Sequence, residues 1–196
     1  MRPPILIVLA LAVLGVSLPA RAADRPVTRE GLVDLLKGER VWCSGWHEAD
    51  QSCEDVSFVD LAEGGKVLQT SRLRMSADPD LQMVVRETVE IEGGALCSTF
   101  RFEALDIVIL MDERPASAEL ALPLLGVLAE SMAGLEGKKA CESYVRNEAT
   151  GELRSTVTLD GVEAPEFNST YRLIAPETRI QLRPMLDDAE SSQTTT

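Results

Sequence analysis

The chain has 196 residues, of which 45% are hydrophobic, 26% are charged and 4% are aromatic, and its formal net charge is −13. This length is enough for a single domain with its own hydrophobic core. A strongly acidic surface repels nucleic acids and anionic lipids, so neither is expected as a partner.

The N-terminus has the layout of a secretory signal. Arg2 precedes an apolar run over residues 5–18, and the small-residue motif Ala20-Arg21-Ala22 follows that run. The run is shorter than the roughly 20 residues that span a bilayer, which favours a cleaved signal peptide over 1–22 and not a retained anchor. Arginine outnumbers lysine, as is typical of GC-rich genomes, so we expect a periplasmic or secreted protein of a bacterial envelope.

A short helix is predicted at the start of the mature chain, and strands follow it. Thr28 is a good N-cap and Gly38 a good C-terminal stop. After that the hydrophobic period changes to two, which predicts antiparallel strands joined by glycine- and proline-containing turns. The predicted strands cover residues 56–61, 66–75, 81–91, 96–102 and 105–111.

The segment 117–135 interrupts the strand pattern with apolar residues at helical spacing. Its wide apolar arc predicts a helix packed into or across the core. The segment has no basic residue that could meet lipid headgroups, which argues against a membrane-surface helix. Pro123 predicts either a start near Leu122 or a kink.

Strands are predicted again over residues 153–159, 167–173 and 179–183, and the acidic, then Ser/Gln/Thr-only tail 187–196 is predicted to be disordered. The sequence therefore indicates a single β-rich domain over 23–186. A shift of 98 residues aligns Cys43 with Cys141 and Trp46 with Tyr144. This match suggests two duplicated halves, 28–111 and 117–186, although chance similarity between β-rich segments is an equal alternative.

Four cysteines allow three disulfide pairings. Cys43 and Cys53 flank a predicted turn and could face each other across a hairpin, which would leave Cys97 to pair with Cys141. We prefer this pairing to the alternative of Cys43 with Cys141 and Cys53 with Cys97. An exported chain favours oxidised cysteines, and their spacing is not that of a zinc site.

The sequence contains no recognisable catalytic set. His47 is the single histidine, a GxSxG nucleophile elbow is absent, and an even cysteine count argues against a free thiol nucleophile. No metal or cofactor is therefore expected. Paired carboxylates remain open as the basis of a hydrolase, because 32 acidic residues always offer pairs.

These patterns together predict a mainly β (α+β) domain, an antiparallel barrel-like or two-sheet structure of eight to ten strands with a short N-terminal and a central helix. The pattern is similar in kind to small exported β-barrels such as lipocalins, without the early Gly-x-Trp motif of that family. The aromatic residues either line a cavity or fill the core. As cavity-lining candidates we name Trp42, Trp46, Tyr144 and Tyr171.

The leading functional hypothesis is a non-catalytic periplasmic protein that binds a small apolar or mixed ligand inside or at the mouth of the β structure. The absence of a catalytic set and the barrel-like pattern motivate it. An acidic accessory protein that binds another envelope protein is the first alternative. A hydrolase that uses a carboxylate pair is the second.

Overall fold

The computed structural model describes residues 24–184. The predicted signal peptide 1–22 and the predicted disordered tail 187–196 lie outside the described residues. Within the described range the chain forms two α-helices, α1 (Arg29–Leu36) and α2 (Ala118–Met132). The strands are β1 (Asp24–Pro26), β2 (Val41–Ser44), β3 (Ser52–Cys53), β4 (Asp55–Leu61), β5 (Lys66–Ser76), β6 (Leu81–Glu92), β7 (Ala95–Thr99), β8 (Asp106–Met111), β9 (Arg114–Pro115), β10 (Lys139–Asn147), β11 (Leu153–Leu159), β12 (Val162–Glu163), β13 (Thr170–Ile174) and β14 (Gln181–Leu182).

Eight strands close into an antiparallel barrel. Each strand of the series β2, β4, β5, β6, β7, β10, β11 and β13 pairs with the next, and β13 pairs back onto β2. Closure removes the exposed sheet edges that an open two-sheet arrangement would leave. The prediction of a mainly β, barrel-like fold is confirmed, and the barrel is the arrangement adopted.

The longest strand, β6, belongs both to the barrel and to a short sheet that branches from it. Residues Glu90, Ile91 and Glu92 pair with β7, whereas the first half of β6 pairs with β8. The sheet therefore branches at β6: β7 continues the barrel, and β8 and β9 extend the sheet from the first half of β6. The clear alternation of apolar and polar residues predicts this strand almost to its ends, because one face is dry and the other wet.

The sequence analysis misses β2 and β10, which both belong to the barrel. All four residues of β2 are buried, so the strand shows no alternation. In β10 the inward-facing positions include a carboxylate, Glu142, which breaks the apolar pattern. Three predicted strands are also too long, since β7 ends at Thr99, β13 begins at Thr170 and the last strand is reduced to Gln181–Leu182.

Two disulfides bridge the barrel wall, Cys43 to Cys53 and Cys97 to Cys141. This is the preferred pairing of the sequence analysis. Cys97 and Cys141 lie directly opposite each other on β7 and β10, so the second bridge reinforces the strand pair between the two halves of the chain.

One end of the barrel is filled by a hydrophobic core. Helix α1 packs across this end, and its N-cap Thr28 accepts a hydrogen bond from the Gly31 amide at 3.2 Å. Leu32 and Leu36 on α1 are buried against Trp42 of β2. The remaining buried members of this core are Val59, Val67, Val89, Ile91, Leu96, Tyr144 and Leu153.

A second, smaller cluster lies on the outer face of the barrel, where the C-terminal segment covers β2 and β4. Val41, Cys43, Cys53, Val56 and Ile174 are its buried members. Strand β14 runs parallel to β3 and holds the segment in place. The buried outer face explains why β2 has no exposed side.

Helix α2 differs from its prediction as a core helix, because none of its residues is buried. Leu122 and Val127 are each 66% exposed. Within residues 24–184, the stretch Ala118–Leu135 is the one helical span that is long and apolar enough to cross a bilayer by length and composition alone. The helix starts at Ala118 and contains Pro123, so the predicted start near Leu122 is wrong.

Both proposed halves contain a helix followed by a hairpin, α1 before β2–β4 and α2 before β10–β11. Their registers differ: Cys43 pairs with Val56, but Cys141 pairs with Thr158, where an identical register would place Arg154. The duplication and the halves stay a prediction.

Candidate functional site

The interior of the barrel is the candidate site, and its closed end is filled by three aromatic rings. Trp42 meets Tyr144 edge-on at 5.3 Å and Tyr171 at 5.8 Å between ring centroids. Trp42 and Tyr144 are 2% and 3% exposed. Such edge-to-face contacts add to the stabilisation that burial of the rings provides.

Of the four predicted ligand-binding residues, the structure brings together Trp42, Tyr144 and Tyr171, but not Trp46. Trp46 packs against the outer cluster, with the Arg172 guanidinium 4.9 Å from its ring centroid. Its indole Nε1 donates a hydrogen bond to Glu48 at 2.8 Å, and this bond is the largest cause of the lowered pKa of Glu48. A ligand-binding role for the four residues stays a prediction.

The tyrosine hydroxyls connect the aromatic end to a polar layer in the middle of the barrel. Tyr144 and Tyr171 donate to the two carboxyl oxygens of Glu142, each at 2.9 Å. Glu142 lies on β10 opposite Leu96 of β7 and Val157 of β11, so it faces inward with them. Both oxygens of this carboxyl group are therefore held in fixed positions.

The rest of the layer consists of serine hydroxyls and carboxyl groups on successive strands. Ser44 donates to Asp55, and Ser98 donates to Glu87 at 3.5 Å. These two pairs, Glu142 and the serine and glutamine side chains on the neighbouring strands form a ring of inward-facing polar side chains, which we call the polar belt. Its members are Ser44, Asp55, Ser57, Gln69, Ser71, Glu87, Ser98, Glu142 and Ser155.

The three carboxyl groups of the belt are acids of raised pKa. Burial is the largest cause of the raised pKa of Asp55, Glu87 and Glu142. Mutual repulsion adds to it, since the charge of Glu142 acts on Glu87 and that of Asp55 acts on Glu142. Burial also raises the pKa of Tyr144 and Tyr171, so both phenols stay protonated and serve as donors.

A small cavity of about 130 Å³ lies at the belt, between Glu87 and Glu142. Its other lining residues include Gln69, Ser98 and Ala140. Among the described residues 24–184, no lysine or arginine lines this cavity. The site therefore offers carboxyl, hydroxyl and amide groups side by side, with an apolar backing.

Beyond the belt most inward-facing residues are apolar but only half-buried, although Ile109 of β8, opposite Met83, is 4% exposed. This contrasts with the closed end, where inward-facing residues such as Val67 and Leu153 are 0% exposed. The partial exposure of inward-facing side chains shows that solvent reaches the inner face of the barrel at that level. We call these half-buried inward residues the apolar wall, and they are Leu73, Met83, Val85, Ile107, Val157 and Leu159.

His47 lies outside the lumen, at the loop that joins β2 to β3, where its imidazole contacts the guanidinium of Arg183 at 2.5 Å. In the described range 24–184, no group of three or more His, Cys, Asp or Glu residues is arranged to hold a metal ion.

The sequence analysis names no residue of the polar belt, although one signal is visible in β6. Met83, Val85, Val89 and Ile91 occupy the inward positions of this strand, and Glu87 stands between them in the same parity. A lone carboxylate on an otherwise dry face predicts a polar site inside the barrel. Glu142 has no such signal, because β10 itself escapes prediction.

The fold and the lumen define a class: a closed antiparallel barrel with a filled end, a polar belt and an open apolar wall. No family model, curated protein or solved structure matches the chain.

Proposed function

We propose that the protein is an exported, non-catalytic barrel that binds a small ligand of mixed polarity in its lumen. The observation that carries the proposal is the order of layers along the barrel axis. A filled aromatic end, a buried polar belt and a half-exposed apolar wall follow one another, and only the first of the three is fully packed.

The layers suggest how the ligand would lie. Its apolar body would contact the wall residues, such as Leu73, Met83 and Val85, where further burial of apolar surface is favourable. Its polar end would reach the cavity between Glu87 and Glu142. Carboxyl and serine oxygens dominate that level, so a head group with hydrogen-bond donors fits best.

Two disulfides in the described structure weakly suggest an oxidising, extracellular environment. We propose the periplasm as the specific location, and this part of the proposal rests on the signal-like N-terminus.

Glu87 beside Glu142 favours a second candidate, a hydrolase that uses a carboxyl pair. Acid–base hydrolysis needs one protonated carboxyl group and one ionised carboxylate. The repulsion that Glu142 exerts on Glu87 favours such a division of roles, because it raises the pKa of Glu87. Binding is preferred because both oxygens of Glu142 already accept tyrosine hydroxyls, and because the adjoining cavity is smaller than a sugar subsite needs. Turnover of chromogenic glycosides or esters that Glu87→Gln abolishes would favour the hydrolase.

The binding proposal is tested by filling the cavity. Ala140 faces inward beside Glu142, whereas Ser143 on the same strand faces outward and is exposed. We expect the full chain, purified from its own compartment, to retain a small molecule in native mass spectrometry. Ala140→Phe should lose this ligand, and the matched control Ser143→Phe should keep it.

Equal ligand retention by both variants would refute a lumen site. A native preparation that carries no ligand and binds none from an extract of its own compartment would refute the binding function itself. Thermal unfolding of each variant shows whether the fold is intact before the binding result is interpreted.

A further inference from the structure

A groove on the outside of the barrel is a second cavity that the lumen proposal does not use. It has a volume of about 520 Å³ and lies between the outer face of β2, β4, β5 and β6 and the C-terminal segment 176–182. Val41, Val56 and Phe58 line its sheet side, and Ile180 and Leu182 line the opposite side. The volume falls in the range of small-molecule sites.

One side of this groove is basic. Arg72, Arg74 and Arg179 line it, together with the carboxylates of Asp80 and Glu113. Asp80 is already engaged, since it accepts hydrogen bonds from Arg74 Nε at 2.7 Å and from the side-chain amide of Gln82 at 2.9 Å. The groove thus has a surplus of guanidinium groups in a chain whose formal net charge is −13.

Arg72 is oriented by a neighbour that is itself buried. Its Nε donates to Oε1 of Gln82 at 2.6 Å, and Gln82 is 6% exposed. Within the described residues Arg72 forms no salt bridge. The guanidinium plane is therefore fixed through Nε, which leaves its two terminal nitrogens to act as a fork for a carboxylate.

We propose that this outer groove binds an amphipathic monocarboxylate, a molecule with one carboxylate group and a short hydrocarbon body. The carboxylate pairs with Arg72 and Arg179, and the hydrocarbon covers Phe58, which is 44% exposed. Three guanidinium groups against two carboxylates leave one positive charge, which matches a monoanion. The formal net charge of −13 disfavours ligands of higher negative charge.

The test is calorimetric titration of the full chain with decanoate, and with decan-1-ol as the uncharged analogue of equal chain length. We expect decanoate to bind and decan-1-ol to bind at least tenfold more weakly. Arg72→Gln and Arg179→Gln should each weaken decanoate binding by about tenfold, since each removes a charge-assisted hydrogen-bond donor. Phe58→Ala should weaken decanoate more than hexanoate.

Arg86→Gln is the matched control, because Arg86 is exposed on β6, pairs with Asp106 and does not line the groove. It should leave the affinity for decanoate unchanged. Ala140→Phe, which fills the lumen cavity, should also leave the affinity for decanoate unchanged. The experiment therefore distinguishes a failure of the outer-groove proposal from a failure of the lumen proposal. Equal affinity for decanoate and decan-1-ol, equal effects of Arg72→Gln and Arg86→Gln, or loss of decanoate binding in Ala140→Phe would each overturn the proposal.

Discussion

At the scale of single residues, the inward carboxyl groups are the most informative feature of the barrel. Isolated buried carboxylates are costly, and chains hold them only where hydrogen bonds or protonation reduce the cost. Glu142 is held by two tyrosine hydroxyls, but Glu87 has one long hydrogen bond, from Ser98 at 3.5 Å. Glu87 is therefore the belt residue whose charge is least supported by its neighbours.

This difference predicts the pH dependence of folding. Burial raises the pKa of Glu87 in the folded chain. As pH rises, the unfolded chain therefore loses the Glu87 proton at a lower pH than the folded chain does. The resulting stability is present at acid pH and is lost as pH increases through the raised pKa. Glu87→Gln should therefore show a smaller fall in the free energy of unfolding between about pH 4.5 and about pH 7 than the wild type.

Urea unfolding at several pH values measures this effect. Glu90→Gln is the control, since Glu90 lies on the same strand but faces outward and is exposed. The pH profile of Glu90→Gln should follow that of the wild type. An unchanged profile for Glu87→Gln would show that the Glu87 carboxyl group is not desolvated in the folded chain.

The two tryptophans should differ in their contribution to stability. Trp42 packs in the closed end of the barrel against Tyr144 and Tyr171, so Trp42→Ala is expected to cost about 3–5 kcal/mol. Trp46 contributes an exposed hydrogen bond and a stacked Arg172, so Trp46→Ala should cost about 1 kcal/mol. Chemical denaturation measures both, and similar losses would contradict the assignment of Trp42 to the core.

At the scale of elements, strands whose apolar and polar residues alternate are predictable, and strands that are buried on both faces or whose alternation is broken are not. β6 and β11 follow the alternation of apolar and polar residues, although Glu87 and Ser155 place one belt residue on each. β2 is hidden by the outer cluster and β10 by Glu142, because tertiary contacts decide their burial. The belt escapes prediction for the same reason: it exists only when distant strands meet. Helix α2 shows that an apolar sequence alone does not guarantee burial.

The two disulfides should stabilise the barrel to different extents. Cys97–Cys141 closes a loop of sequence separation 44 and Cys43–Cys53 one of 10. Restriction of the unfolded chain grows with loop length, so replacing the first pair by alanine should cost about 4 kcal/mol and the second about 3 kcal/mol. Denaturation of the two double variants measures this order. A larger loss for the Cys43/Cys53 variant would show that native packing outweighs loop entropy here.

At the scale of the whole molecule, the barrel is asymmetric along its axis. Helix α1 and the rings of Trp42, Tyr144 and Tyr171 fill one end, and the polar belt and the apolar wall occupy the rest. The outer groove adds a basic patch to a chain whose formal net charge is −13. The signal-like N-terminus and the net charge predict an exported acidic domain. The division into a filled and an open end requires the register of eight strands, which the sequence does not show.

The open lumen is tested most directly by methyl NMR of valine-labelled protein with a small neutral paramagnetic probe in the buffer. Val67 and Val85 both face inward on neighbouring strands, but Val67 is fully buried and Val85 is half-buried. An open lumen predicts strong relaxation of the Val85 methyls, protection of the Val67 methyls, and recovery of Val85 when ligand is added. Equal protection of both valines in the ligand-free protein would mean a sealed, filled core and would contradict a binding site inside the barrel.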